Sequence, residues 1–587
     1  MNLVQLLQER FRDALAGLTP DPTPFAAMVK PAQDPRHGDY QANMAMPLAK
    51  SLGRKPQEIA RQIIDRLDLG DFLEAPQVAG PGFINLRLRS DWLARRLQQT
   101  ASDQRLGIAA ATRPLTYVID FSSPNVAKPM HVGHLRSTII GDSLQRLFRF
   151  LGHRVVSDNH LGDWGTQFGI LLYGYKNFRD EAALRADPVC EMVRLYVLVQ
   201  KMTEAEEKQP AKPVTEATRQ ETAKLHAGDS ENVRLWQEFM PWCLEEINRV
   251  YRRLGVKFDH MLGESFYNPQ LLGVVRDLLE RDIACRSEGA VVVFVPGVPD
   301  PAVIQKADGA FTYTTSDLAT VEYRVREWHP DAMLYVVDAR QALHFKNLFE
   351  IARRVGCGDI RLEHISFGSV LGPDRKPIKT REGGAVELSQ LLDEAVQRGL
   401  QTYDQLRAER SARGEEVPEL SEDERGRIAE AVGLGAVKYA DLSQNRTTDY
   451  IFSWDKMLAM DGNTATYMQY AHARIRNIFR KGEEDPARLR SSPPLPSAEQ
   501  MHERALALQL LRLGEALDIA AAEYKPNAIT AYLWDLAKAY SGFYENCPVL
   551  KAETPELRRS RLLLCDLTAR SIQLGLELLG IRTVERM

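Results

Sequence analysis

His131, Gly133 and His134, with Lys128 three residues before them, are the residues whose types and spacing speak most directly of chemistry. They lie in the run Pro124, Asn125, Val126, Ala127, Lys128, Pro129, Met130, His131, Val132, Gly133 and His134. Before it, LTYVIDF is a continuous apolar, β-branched run; after it, Leu135 to Leu151 has a helical pattern. The two histidines therefore share one face of the first turn of a helix. A helix N-terminus offers unpaired N–H groups and a partial positive charge to phosphate oxygens, and Gly133 lets a phosphate or a flat base approach the backbone. Neutral imidazoles add two directed donors, and Lys128 adds a full charge. Such a site suits attack of a carboxylate on the α-phosphate of ATP, where charge builds on phosphoryl oxygens and no covalent enzyme intermediate is needed. Composition alone would yield roughly 0.016 HxGH patterns in a chain of this length.

Elements must hold this segment in place. Apolar runs recur at HRVVSDN, AMLYVVD and LEHISFGSVL with helical patterns between them, which predicts a doubly wound parallel, Rossmann-like α/β sheet. The expected catalytic unit spans 111–385, with a helical insertion at about 172–259 carrying the breaker-rich stretch EEKQPAKPVTEATRQE. Before it, 1–110 alternates helical and turn-rich stretches and is expected to form a small α+β domain. After it come a helical connector at 386–455 and an all-α bundle at 456–587, broken by the proline-rich SSPPLPSAEQ.

Composition sets the frame. The chain has 587 residues, enough for about three or four domains, and a net charge of -4 that announces no global cationic field for nucleic acid. The six cysteines lie apart, with no CxxC pair or Cys/His cluster, so no disulfide framework and no bound metal site is expected. The amphipathic start MNLVQLLQERFRDAL is unlike a signal peptide, and no apolar run reaches the roughly 20 residues of a membrane span. A cytoplasmic protein with no membrane association is expected.

The strand, the SPN loop and HVGH opening a helix resemble the HIGH signature of class I aminoacyl-tRNA synthetases. SPNVAKPMHVGHLRSTIIGDSL followed by SDNHLGDWGTQFG resembles, within that class, the arginyl-tRNA synthetase family, over essentially the whole chain. The resemblance implies activation of L-arginine by ATP, accompanied by Mg2+, and transfer to tRNA(Arg) by a monomer. It implies that Ser123, Pro124, Asn125 and His134 hold the amino acid's α-amino and carboxylate groups, with Gln341 in DARQALH closing over it. Tyr313 and Asp317 in TYTTSD match the family's arginine-binding pair. Bidentate, charge-assisted bonds are what a guanidinium requires, and two residues four apart share a helix face. Taken alone, Asp317 reads equally as a helix cap or a solvated carboxylate, and Tyr313 as a packing residue. Glu264 in GESFY is a second candidate acceptor.

Class I enzymes carry a second, lysine-rich KMSKS loop. The corresponding stretch here is GSVLGPDRKPIKTREGG, in which Lys376, Lys379 and Arg381 are candidate cations and Thr380 stands where the usual second lysine would be. The resemblance assigns the missing charge to Lys128. In the C-terminal bundle, Tyr467, Tyr470, Arg474 and Arg476 mix aromatic faces with positive charge on one helix, as loop-nucleotide binding requires. Any one of these aromatics can equally be bundle core. The segment resembles a DALR-type anticodon-binding module, and 1–110 resembles the family's extra tRNA-contacting domain. Two rival readings remain: a class I-like ligase acting on a small molecule, and an RNA-binding relative without catalysis.

Overall fold

The computed structural model describes residues 2–376, 378, 386–414 and 419–587. Its centre is a four-stranded parallel sheet. The strands are β1 (Thr116–Phe121), β2 (Arg154–Asp158), β3 (Ala332–Val336) and β4 (Arg361–His364), in the order β4-β3-β1-β2. Every residue of β3 is buried, and β1 is buried from Tyr117 onward, as expected of strands covered on both faces. The helices that matter here are α1 (Val132–Phe150), α2 (Ser230–Leu254), α3 (Tyr313–Trp328) and α4 (Ala342–Ala352), then α5 (Leu388–Ala412), α6 (Glu422–Leu442), α7 (Ala465–Lys481) and α8 (Pro555–Leu578).

The order reverses between β1 and β3, so the carboxyl ends of those strands flank the crevice where ligands bind in open α/β sheets. The segment expected as an insertion is helical, from Pro188–Ala205 through Pro213–His226 to α2. A three-stranded antiparallel sheet, Cys285–Ser287, Ala290–Val293 and Ala302–Gln305, follows it and is an addition to the elements expected from sequence. Nor is LEHISFGSVL one strand. Its first part is in β4, whereas Val370–Leu371 pairs in parallel with Tyr450–Ile451. The divide falls where the Gly368 amide donates to Arg446 O at 2.9 Å and the Ser369 amide to Asp449 Oδ1 at 2.6 Å. Those acceptors draw the backbone out of the main sheet.

The N-terminal unit is a four-stranded antiparallel sheet, Val29–Pro31, Tyr40–Ala42, Phe83–Leu86 and Gln77–Ala79 in spatial order, with helices including Leu3–Leu15 and Pro56–Arg66 on it. It docks on the C-terminal helices through a buried polar cluster. Arg504 donates to both Asp39 oxygens at 2.8 and 2.7 Å, and the Tyr40 hydroxyl donates to Glu515 Oε1 at 2.6 Å. Among the described residues, no helix is long and apolar enough to cross a membrane.

Candidate functional site

β1 ends in a strained turn. Ser122 and Ser123 have φ of +76° and +47°, left-handed values that cost a non-glycine residue free energy and need outside support. Support comes from three elements. The Ser122 amide donates to Ser137 Oγ on α1 at 2.8 Å, and Ser122 Oγ lies 2.7 Å from the Tyr251 hydroxyl on α2. The Ser123 amide donates to Asn159 Oδ1 just past β2 at 3.0 Å, and its hydroxyl to Asp120 Oδ1 at 3.0 Å. Val126 and Gly162 amides then pair with Gly162 and Pro124 carbonyls, so Asn125 lies against the loop after β2. A Cβ on Gly162 would stand 2.3 Å from Asn125 Oδ1, so any larger residue would push the Asn125 side chain from this position.

The histidine segment opens α1 with a reciprocal cap. His131 Nδ1 accepts from the Gly133 amide at 3.0 Å, and His134 Nδ1 accepts from the His131 amide at 3.1 Å. Because both Nδ1 atoms accept, each ring carries its proton on Nε2 and keeps that N–H for a ligand. The ring centroids are 4.1 Å apart. Burial, then the neighbouring His131, lowers the His134 pKa to about 3; burial and then Lys128 lower that of His131. Both are neutral donors at physiological pH. Lys128 is exposed beside them.

The same segment anchors the far side of the basic loop. The Val132 amide donates to Val386 O at 3.0 Å and the Leu388 amide to Met130 O at 2.8 Å. Arg136, buried on α1, donates to Gly368 O at 2.8 Å and Thr448 O at 3.0 Å, and pairs with Asp441 of α6 at 3.1 Å. Residues Gly368 and Val386 thus flank the loop, and both are tied to α1. Lys376 is exposed; Lys379 and Arg381 lie outside the described residues.

Beneath the crevice, Arg324 of α3 is fully buried between the carboxyl ends of β1 and β2. Its Nη2 lies 2.6 Å from Asp120 Oδ2 and 2.8 Å from Asp158 Oδ2. None of the three residues of this triad stands out in the sequence by local pattern. Each aspartate lies at or next to the carboxyl end of an apolar run, in YVIDF and RVVSD, and that placement was the available signal.

The second candidate cluster lies on α3. Tyr313 is its first residue and is 67% exposed; Asp317 is one turn on and half-buried. His344 Nε2 lies 2.5 Å from Asp317 Oδ2, and His160 Nε2 lies 3.9 Å from Oδ1. Glu264 begins a short helix, and its amide donates to the carbonyl of Leu161, in the loop after β2, at 3.0 Å. Burial raises the Glu264 pKa, and the Asp163 and Asp317 carboxylates push the same way while His160 opposes. Gln341 is exposed and immediately precedes α4. Neither histidine of this cluster was singled out from sequence, although His344 stands in the quoted DARQALH.

In the C-terminal bundle, Tyr470 and Arg474 of α7 line a cavity of about 850 Å³ whose wall, among the described residues, holds six arginines and two lysines but no aspartate or glutamate side chain. Arg474 lies over the rings of Tyr470 and Tyr544, at 5.4 and 4.5 Å. Tyr467 and Arg476 do not line it: the Tyr467 hydroxyl pairs with Ser541 Oγ at 2.8 Å, and Arg476 donates to Glu585 at 2.9 Å. Among the described residues, no group of three or more His, Cys, Asp or Glu side chains could hold a metal ion.

A parallel sheet with a histidine-capped helix at its switch point is the framework of a class I tRNA synthetase, and the family model "tRNA synthetases class I (R), catalytic domain" matches residues 96–454. The "DALR anticodon binding domain" matches 468–587 and the "Arginyl tRNA synthetase N terminal domain" matches 5–88. The chain is 44% identical to the arginine–tRNA ligase of Rhodopirellula baltica over 675 residues and to that of Escherichia coli O157:H7 over 599, with all of each chain covered. Among solved structures it is similar to the Plasmodium falciparum arginyl-tRNA synthetase (28% identity, TM-score 0.83, 100% of this chain and 99% of that one). It is likewise similar to the Thermus thermophilus enzyme (26% identity, TM-score 0.80, all of both chains). The chain belongs to the arginyl-tRNA synthetase family.

Proposed function

We propose that the chain joins L-arginine to tRNA(Arg) in two steps, with ATP and Mg2+ as the substrate complex. In the first, an arginine carboxylate oxygen attacks the α-phosphorus, a new P–O bond forms, and the bond to pyrophosphate breaks. In the second, a hydroxyl of the terminal ribose attacks the carbonyl carbon and AMP leaves. The nucleophile of the first step is already an anion, so no protein base is required; rate comes from positioning and from donors aimed at phosphoryl oxygens.

The residues take these roles in the proposal. Ser123, Pro124, Asn125 and His134 hold the α-amino and carboxylate groups at the strained turn, and Gln341 covers them. Tyr313 and Asp317 receive the guanidinium, with Glu264 as a second acceptor. The segment from Pro124 to His134 holds ATP, with His131 and Lys128 on the phosphates and Lys379 and Arg381 supplying further charge. Tyr470 and Arg474 meet the tRNA in the basic cavity, while Tyr467 and Arg476 act behind them through packing and through Glu585. The sequence units 1–110, 111–385, 386–455 and 456–587 serve as the tRNA-contacting, catalytic, connecting and anticodon-binding parts. The family resemblance favours a monomer acting in the cytoplasm.

One observation carries the reading: two Nε2–H donors, fixed by a reciprocal cap, stand at the switch point of the sheet. Pyrophosphate exchange run with each amino acid, with and without tRNA, tests it. Exchange with arginine is expected; exchange with another amino acid and none with arginine contradicts it.

A further inference from the structure

The cluster on α3 contains an imidazole to which the reading above gives no task. His344 Nε2 stands 2.5 Å from Asp317 Oδ2. Its ring is set edge-on to Tyr313, with centroids 4.8 Å apart and planes at 67°. The His344 side chain is 9% exposed, against 25% for Asp317, so the contact is sheltered while the carboxylate remains open to a ligand. An ionised carboxylate only accepts, so His344 donates through Nε2. His160 flanks the other oxygen. His344 is also the third residue of α4, where the helix end favours a nearby negative charge.

A carboxylate turns broadly about its terminal bond. A guanidinium fork needs both oxygens in one plane at a fixed orientation, whereas an ammonium is indifferent to that plane. We infer that His344 is a specificity-determining positioning residue that holds the Asp317 carboxylate plane ready for a planar, two-pronged cation. The inference rests on the assignment of Asp317 to the arginine guanidinium. Through this bond His344 also ties the start of α4, and with it Gln341, to α3.

Steady-state pyrophosphate exchange with tRNA present tests this on His344→Leu, His344→Gln and Asp317→Asn. A bond to a charged group corresponds to about tenfold to a hundredfold in affinity. His344→Leu is expected to raise the arginine KM at least about tenfold with the ATP KM within about twofold. His344→Gln, which keeps an N–H donor at similar reach, restores most of that loss. Thermal melting separates loss of fold from loss of function. Should the leucine variant not fold, His344→Asn, whose amide stops short of Oδ2, provides the same contrast with glutamine. The inference is overturned if His344→Leu leaves the arginine KM unchanged, if the glutamine and leucine variants are equally impaired, or if the ATP KM rises in parallel. Asp317→Asn separates the two layers. If it keeps the wild-type arginine KM, the pocket assignment itself fails; if it loses arginine while His344→Leu does not, only the role of His344 fails.

Discussion

Lys128 is an exposed cation beside two imidazoles that cannot take up charge near neutrality. Its positive charge acts on both imidazoles. Lys128→Ala is expected to slow adenylate formation about a hundredfold, the scale of losing one preorganised electrostatic partner, while arginine affinity changes only a fewfold. Single-turnover adenylation against arginine binding checks this; equal small losses in both contradict it. For His134, protonation occurs at about pH 3 in the folded chain and at 6.5 in a free imidazole. As pH falls between those values the unfolded chain takes up a proton that the folded chain refuses, so this residue's contribution to stability is present above 6.5 and declines towards 3. In an NMR titration His134 stays neutral from pH 8 to 5. The thiols stand outside this chemistry. Cys243, Cys357, Cys547 and Cys565 are buried, with Cys243 pushed up to about 12 by burial. Replacing the exposed Cys190 and Cys285 with serine should leave exchange intact.

Ser123, Asn125, His131 and His134 could be picked out together because they fall within one run of twelve positions with a recognisable pattern. His344 and Arg324 were not legible. Their bonds to Asp317 and Asp120 span 27 and 204 residues, and local pattern holds no trace of such pairings.

Helix α1 is the element on which the site depends. Its N-terminus carries the histidines, and Arg136, one turn further on, joins it to α6 and to both Gly368 and Thr448. Burial raises the Asp441 pKa and the Arg136 guanidinium opposes this, so the carboxylate depends on Arg136 to stay ionised. Arg136→Met should cost about 3–5 kcal/mol by leaving Asp441 buried and alone, and adding Asp441→Leu should recover most of it. Chemical denaturation measures both. If α1 also sets the histidines through this pair, exchange activity will follow the same order. Strands β1 and β3 were legible because both faces are covered and each reads as one apolar run. The bend within LEHISFGSVL was not, because the acceptors that draw Gly368 and Ser369 away, Arg446 and Asp449, lie about 80 residues later.

Across the whole molecule, the N-terminal unit is bound to the C-terminal helices rather than to the sheet. Arg504, Asp39, Tyr40 and Glu515 form a buried cluster whose bonds span 465 and 475 residues. Those separations placed the docking beyond sequence reading, although the unit's own α+β character was visible in its turns and periodicity. Arg504→Ala should loosen the N-terminal unit, raise the KM for tRNA about tenfold, and leave the KM values for arginine and ATP within about twofold. Unchanged tRNA kinetics would detach this interface from tRNA recognition. The central claim concerns which amino acid reaches the RNA. Offer the purified chain ATP, Mg2+, a full tRNA pool and all twenty amino acids together, then identify the ester by mass spectrometry. The account predicts arginine on tRNA(Arg); another amino acid there, or no ester at all, contradicts it.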